Sequence, residues 1–315
     1  MTSLSFQLRP VAPFRLDLTV WVLRRRDRNV VDRWDGSTYR RVLVIHQSRL
    51  EVAVTQTAPC EHPKLEITMA GHPNPIARPT VTELLTRMLG LRTNLQPFYE
   101  LAAVDRRLAR LVERFRGVKP PRFPSVFEAL VNAVACQQLS LTVGIELLNR
   151  LAMRGASATS NGKAKQYAFP TAEDLLRLKA QTFRSLGFSY SKAGTLLGFS
   201  RQIVANELDP ERMKALDNES AVERLMKLRG VGRWTAEYVL LRGLGRINMF
   251  PGDDVGARNR LASWLHRDSP LDYEGVKRAV RRWQPYAGMV YFHLLLAGLT
   301  ESGEMPSEVQ SPSSA

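Results

Sequence analysis

The hydrophobic period of this chain changes once, and that change limits the fold more than any other feature. Ahead of His72-Pro73-Asn74-Pro75, apolar residues recur at every second position, the spacing of a strand with one buried face. Phe14, Leu16, Leu18, Val20 and Val22 alternate with Arg15, Asp17, Thr19 and Trp21. Leu50, Val52 and Val54 repeat the pattern, as do Leu65, Ile67 and Met69, and the run Tyr39 to Ile45 follows the turn signal Asp35-Gly36. Strands in succession with no helix between them predict an antiparallel sheet. Beyond the prolines the chain reads as helical. Ser/Thr-x-x-Glu opens an amphipathic run at Thr80/Glu83, Ser125/Glu128 and Ser220/Glu223, the form of a capping box whose two side chains satisfy orphan backbone donors. The predicted class is α+β: an N-terminal antiparallel, β-rich domain over residues 1–78, then an all-helical domain over residues 79–300. A break falls at Lys119-Pro120-Pro121, a polar segment from Gly155 to Gln166 is predicted to be mobile, and the Ser/Pro/Glu-rich tail 301–315 to be disordered.

Composition narrows the function. The 315 residues suit two domains at roughly 100–200 residues each. Lysine and arginine number 45 against 30 aspartate and glutamate, a net charge of +15, which favours a polyanionic partner: nucleic acid first, an acidic membrane second. A basic surface kept only for solubility is the alternative. Cys60 and Cys136 are too few for a disulfide framework or a four-thiolate iron–sulfur cluster, so a reducing, intracellular setting is expected. The N-terminus shows no secretory signal, and Met289 to Leu299, the most apolar late stretch, is far short of the roughly 20 residues of a membrane span. Cys60, His62 and His72 match no zinc spacing, and no metal is expected there. His266 and His293 have no evident partner.

The most informative string is Leu228-Arg229-Gly230-Val231-Gly232-Arg233-Trp234-Thr235-Ala236. A short helix from Ala221 ends in a tight turn, and a second helix starts at once and runs to about Leu244. Glycines at 230 and 232 are expected to take dihedrals closed to other residues and to let backbone N–H groups meet a phosphate at a helix N-terminus. Phosphate contacts of this kind position a protein without reading sequence. A lone Gly-x-Gly would equally fit a helix C-cap followed by any turn. Downstream stands a Gly/Pro loop ending in two carboxylates, Phe250-Pro251-Gly252-Asp253-Asp254, 20 residues separating Trp234 from Asp254. Together the two segments resemble the helix-hairpin-helix superfamily of DNA base-excision glycosylases, and in particular its DNA-3-methyladenine glycosylase II, or AlkA-like, branch. The resemblance covers the helical domain specifically, with the hairpin at about 221–244, and the strand domain only in character and placement.

The resemblance implies roles for individual residues. Asp254 would be the catalytic carboxylate, stabilising positive charge that develops on the sugar and orienting or deprotonating the attacking water. Both aspartates could instead simply cap the next helix, and Asp253 is read that way. Trp234 stands where strand-cleaving relatives carry a Schiff-base lysine, which implies a monofunctional enzyme. Trp234 and Tyr238, four apart on one helix face, and Tyr286 fall at base-stacking positions suited to a cationic alkylated purine, with Gln137 a pocket glutamine. Tyr286 replaces a tryptophan of the best-known bacterial members, and Trp283 reads as core. The segment Phe127 to Ser140 resembles the helix and turn that carry the wedge filling the gap left by a flipped base, with Gln138, followed by Leu139, at the intercalating position. Two polar residues ending a helix are the plain alternative. Arg229, Gly230, Val231, Gly232 and Arg233 would bind the DNA backbone, and a monovalent cation could bridge the hairpin to a phosphate; no other cofactor is expected. The expected partner is double-stranded DNA containing damaged bases, with no membrane, for a monomer in the bacterial cytoplasm or, in a eukaryote, the nucleus. The function read is excision of alkylated purines such as 3-methyladenine. The rivals are a glycosylase for oxidised or deaminated bases and a DNA-binding hairpin protein without catalysis.

Overall fold

The computed structural model describes residues 3–45, 48–70, 76–155, 159–160 and 165–306. The predicted break at 72–75, most of the segment 155–166 and the tail beyond 306 lie outside the described residues. In chain order the main elements are β1 (Ser3–Leu8), α1 (Leu16–Arg24), β2 (Arg33–Trp34), β3 (Thr38–Ile45), β4 (Ser48–Gln56), β5 (Leu65–Ala70), α2 (Ala77–Leu89), α3 (Gln96–Ala103), α4 (Arg106–Arg114), α5 (Val126–Cys136), α6 (Leu141–Gly155), β6 (Thr159–Ser160) and β7 (Lys165–Gln166). They continue with α7 (Ala172–Leu176), α8 (Ala180–Ser185), α9 (Tyr190–Val204), α10 (Asn218–Met226), α11 (Arg233–Val239), α12 (Val255–Trp264), α13 (Tyr273–Val280) and α14 (Ala287–Glu301). A π-helical turn, Leu240–Leu244, extends α11. The architecture is the predicted α+β class. The sheet is antiparallel throughout, in the order β1-β5-β4-β3-β2, with Val52 opposite Met69 and Val54 opposite Ile67 on its buried face. Three of the predicted strands are β3, β4 and β5.

The fourth is not a strand. Phe14 to Val22 was read as alternating, yet Leu16–Arg24 is helical and buried on nearly every side. Leu16, Val20 and Leu23 pack into one hydrophobic cluster, and Leu18, Trp21 and Val22 into another. Each set has helical spacing; two helical faces superimposed mimic a period of two. The first cluster runs from the sheet (Val54, Ile67, Met69) through α5, α6 and α9 to α11 (Ala236, Val239), and the second joins α3, α4, α12, α13 and α14. The sheet therefore shares its core with the helices, and residue 78 marks the end of the strands and not a boundary of packing.

Two capping boxes also resolve differently. Helix α2 begins at Ala77, ahead of Thr80, since Pro79 needs no N–H partner in a first turn. Helix α10 is capped by Asp217, which accepts from the Ser220 amide at 2.8 Å, so Ser220 lies inside it. Ser125 does cap α5, accepting from the Glu128 amide at 3.1 Å, but the Glu128 carboxylate turns away to Arg41. The described part of the predicted tail is packed: Met305 is buried in the second cluster, and its N–H donates to the Leu299 carbonyl at 3.0 Å. Among the described residues no helix is long and apolar enough to cross a membrane.

Sheet and α5 are joined by a buried ionic cluster. Arg41 of β3 donates to Asp32 at 2.7 Å and to both Glu128 oxygens at 2.7 and 2.5 Å, while the Tyr39 hydroxyl donates to Asp32 at 2.7 Å. Burial pushes the Glu128 carboxyl up, and the Arg41 charge opposes the shift. Removing one partner of such a cluster strands the other charges away from water. Arg41→Met is expected to cost about 3–5 kcal/mol of stability, read as a lower urea midpoint at pH 7.

His293 of α14 is fully enclosed, with Nδ1 2.7 Å from the Met289 carbonyl and Nε2 unpartnered. Burial lowers its pKa from 6.5 to about 4. The folded state therefore keeps His293 neutral where the unfolded chain takes up a proton, so stability falls as pH drops from 6.5 towards 4. The full loss is roughly 3 kcal/mol. His293→Leu should flatten the curve of stability against pH in that window, measured by urea melts at half-unit intervals.

Candidate active site

Helices α10 and α11 form the hairpin. Val231 N–H closes the turn on the Leu228 carbonyl at 3.1 Å. Gly230 has φ of +80°, and a Cβ there would lie 2.2 Å from Thr195 Oγ1 of α9, so both conformation and space demand glycine. Gly232 differs from the expectation: its φ of −94° is open to any residue, and a Cβ would meet nothing within 4 Å. As N-cap of α11 it offers no capping side chain, so the amides of Arg233 and Trp234 find no acceptor among the described residues. The glycine there leaves the helix N-terminus uncovered. Arg229, Gly230, Gly232 and Arg233 are exposed and Val231 is buried. The Arg233 guanidinium lies over the Tyr273 ring at 4.5 Å.

The Gly/Pro loop is fixed from the same helix. Glu237 of α11 accepts from the Gly252 amide at 2.9 Å and the Tyr273 hydroxyl at 2.7 Å. Burial raises the Glu237 carboxyl pKa, and these two hydrogen bonds hold it back. Asp254 then caps α12, its Oδ1 accepting from the Ala257 amide at 2.9 Å. Its Oδ2 accepts from Trp234 Nε1 at 3.2 Å and from the Tyr291 hydroxyl at 3.1 Å. Asp253 accepts no hydrogen bond among the described residues; the capping is done by Asp254.

The remaining predicted residues divide. Trp234 and Tyr238 pack ring to ring, centroids 5.5 Å apart, with Tyr238 only 4% exposed behind the half-buried Trp234. The Tyr238 hydroxyl accepts from Arg25 at 2.8 Å, and Arg25 also donates to Asn132 at 2.5 Å. Tyr286 packs against the second cluster, its ring 5.6 Å from Phe98, and the tyrosine of α14 whose hydroxyl donates to Asp254 is Tyr291. Trp283 is core, donating to Asp105 at 3.0 Å. Gln137 ends α5 and spends its amide nitrogen on the Gly230 carbonyl (2.9 Å) and Thr235 Oγ1 (2.8 Å), so it ties the following turn to the hairpin. In that turn Gln138 (φ +55°) and Leu139 stand exposed, Leu139 by 42%. Lys192 of α9 donates to the Ala135 and Gln137 carbonyls at 3.0 and 2.7 Å.

Sequence reasoning missed Tyr291, Arg25, Glu237 and Lys192. Tyr291 sits in an apolar run and 37 residues from Asp254, and Arg25 in a run of three arginines that reads as a solvated cluster. Glu237 alone carried a signal, lying three residues after Trp234 on the same face.

The architecture is that of a helical hairpin coupled to a single fixed carboxylate, and the comparisons name the family. The family model for the HhH-GPD superfamily base excision DNA repair protein matches residues 131–285. A DNA-3-methyladenine glycosylase of Bacillus subtilis is 30% identical over 222 residues, 69% of this chain and 73% of that protein. DNA-3-methyladenine glycosylase 2 of Escherichia coli is 24% identical over 90% of this chain and 93% of its own. The structure of a 3-methyladenine DNA glycosylase from Archaeoglobus fulgidus superposes with a TM-score of 0.81 at 26% identity, covering 92% of this chain and 97% of that one. The chain belongs to the HhH-GPD superfamily of base excision DNA repair proteins, in its DNA-3-methyladenine glycosylase II branch.

The two glycines make separable contributions. Gly230→Ala should lower the urea midpoint and weaken binding to abasic-site DNA about tenfold, because the left-handed conformation costs an alanine roughly 1–2 kcal/mol before the Thr195 clash. Gly232→Ala should keep the midpoint and still lose DNA affinity, measured by fluorescence anisotropy; undiminished affinity would refute close approach at residue 232.

Proposed function

We propose that this protein is a monofunctional DNA glycosylase that excises alkylated purines, 3-methyladenine among them, from double-stranded DNA. The observation that carries this reading is the Asp254 carboxylate, held by the aromatic Trp234 of the very helix whose N-terminus stands uncovered at the hairpin. The uncovered amides of α11, with Arg229 and Arg233 beside them, grip phosphates on either side of the damaged nucleotide. Gln138 and Leu139, exposed in their turn and tied to the hairpin through Gln137, fill the stack as the base flips out. The flipped base stacks against Trp234, backed by Tyr238.

The bond between C1′ and the base nitrogen then breaks, its electrons leaving with the base, and the sugar becomes oxocarbenium-like. Asp254 stabilises that cation and takes a proton from the water whose oxygen bonds C1′. An abasic sugar and a free base result. No amine attacks the sugar: residue 234 is tryptophan, and Lys192 is committed to backbone carbonyls. The carbonyls of Arg229 and Val231, which accept no hydrogen bond among the described residues, would hold a monovalent cation against a phosphate. The protein acts as a monomer, and the strand domain's contribution is to position α5.

A second reading, a glycosylase for deaminated or oxidised bases, is favoured by Arg25. A guanidinium bonded to Tyr238 repels a cationic purine and suits a neutral base that presents acceptors. One substrate panel decides between them: duplexes carrying 3-methyladenine, 7-methylguanine, hypoxanthine and 8-oxoguanine, with wild type and Asp254→Asn. Release of methylated purines by wild type is expected. Asp254→Asn should lose about 100-fold or more while binding to abasic-site DNA persists, and borohydride should trap no covalent adduct. Undiminished release by Asp254→Asn would remove the assignment.

A further inference from the structure

Asp254 is held by more donors than helix capping needs. A carboxylate offers about four lone-pair sites. Two of them, both on Oδ2, are taken by Trp234 Nε1 at 3.2 Å and the Tyr291 hydroxyl at 3.1 Å, and a third, on Oδ1, by the Ala257 amide at 2.9 Å. One lone pair, on Oδ1, is uncommitted. We infer that Tyr291 is a positioning residue for the glycosylase reaction: by occupying Oδ2 together with Trp234 it fixes the carboxylate plane and leaves Oδ1 as the oxygen that acts on water and sugar. The inference rests on the reading of Asp254 as the catalytic carboxylate.

Tyr291 is itself rigid. It is 8% exposed, meets the Phe250 ring edge-on at 5.5 Å and 87°, and abuts Phe292 at 5.8 Å. Phe250 opens the very loop that delivers Asp254, so one contact sets both ends of the hydrogen bond. Burial raises the phenol pKa well above its ordinary value, and the Asp254 charge adds to the shift, so the hydroxyl remains a donor at every working pH. The other titratable or charged groups that face this pair are Tyr238 and Arg242 on α11 and its extension, Cys136 at the end of α5 and Arg25 after α1. The thiol and phenol of Cys136 and Tyr238 are held neutral, each raised by burial. Arg25 and Arg242 keep their charge through the pH range of the assay.

The test is Tyr291→Phe, which removes one oxygen and keeps the ring. Aspartate labelled with 13C at Cγ reports the Asp254 carboxylate in the free protein, its resonance assigned by its absence from Asp254→Asn. In Tyr291→Phe that resonance should move, since a donor to Oδ2 is lost. The single-turnover rate of base release should fall about tenfold. Binding to abasic-site DNA serves as the control for folding and should not change. An unmoved Asp254 resonance overturns the inference, and an unmoved resonance with lost DNA binding assigns Tyr291 to packing alone. Wild type that releases no base would defeat the proposed function, while the Asp254 resonance would still decide the role of Tyr291.

Discussion

The buried Arg41, shared between Asp32 and Glu128, is the interaction on which the rest of the molecule depends. It pins the N-terminal turn of α5 to strand β3 and balances two buried carboxylates with one guanidinium. The opposite end of α5 carries the turn with Gln138 and Leu139, and it is held as tightly: Lys192 covers its last carbonyls, and Gln137 reaches the hairpin. Between these ends Asn132 receives Arg25. A single helix thus transmits the position of the sheet to the turn that carries Gln138 and Leu139, and in the proposed function the sheet's part is to hold that helix still.

Helix α11 performs the second half of the positioning. Its N-terminus presents free amides, Trp234 touches the Asp254 carboxylate, Glu237 clamps the loop at Gly252, and Tyr238 meets Arg25. Residues 234, 237 and 238 share one face, so a displacement of the hairpin carries the carboxylate and the aromatic pair with it. In the proposed function, backbone grip and chemistry are therefore registered to each other within one helical turn, which is what a reaction at a single sugar requires.

Much of this was legible from local pattern. The strands β3, β4 and β5 and the hairpin follow from period and turn glycines, decided within a few residues, whereas the carboxylate that caps α12 is Asp254 and not Asp253. What failed was decided at a distance. Alternation at Phe14 to Val22 misled because α1 is buried on two faces at once, an environment that no window on the sequence can distinguish from a strand. Asp217 displaced Ser220 as a cap because two good caps stood three residues apart. Tyr291 went unread because nothing near it in the chain signals Asp254, and only its packing against Phe250 brings its hydroxyl to that carboxylate.

The charge around the aromatic pair gives the site its character. Arg25 and Arg242 are both buried without a carboxylate partner among the described residues, their guanidinium carbons 5.5 and 5.0 Å from the Phe123 ring. The Arg25 bond to Tyr238 draws electron density from that ring, which weakens its attraction for a cation and leaves stacking as the main contribution. Under the proposed reading a cationic purine would therefore be recognised at Trp234, next to Asp254, and not at Tyr238. The excess positive charge of the chain accordingly acts at two ranges. Outside, Arg229 and Arg233 are exposed beside the uncovered N-terminus of α11, where the proposed function has them meet phosphates; inside, the Arg25 guanidinium would oppose a cationic base beside Tyr238.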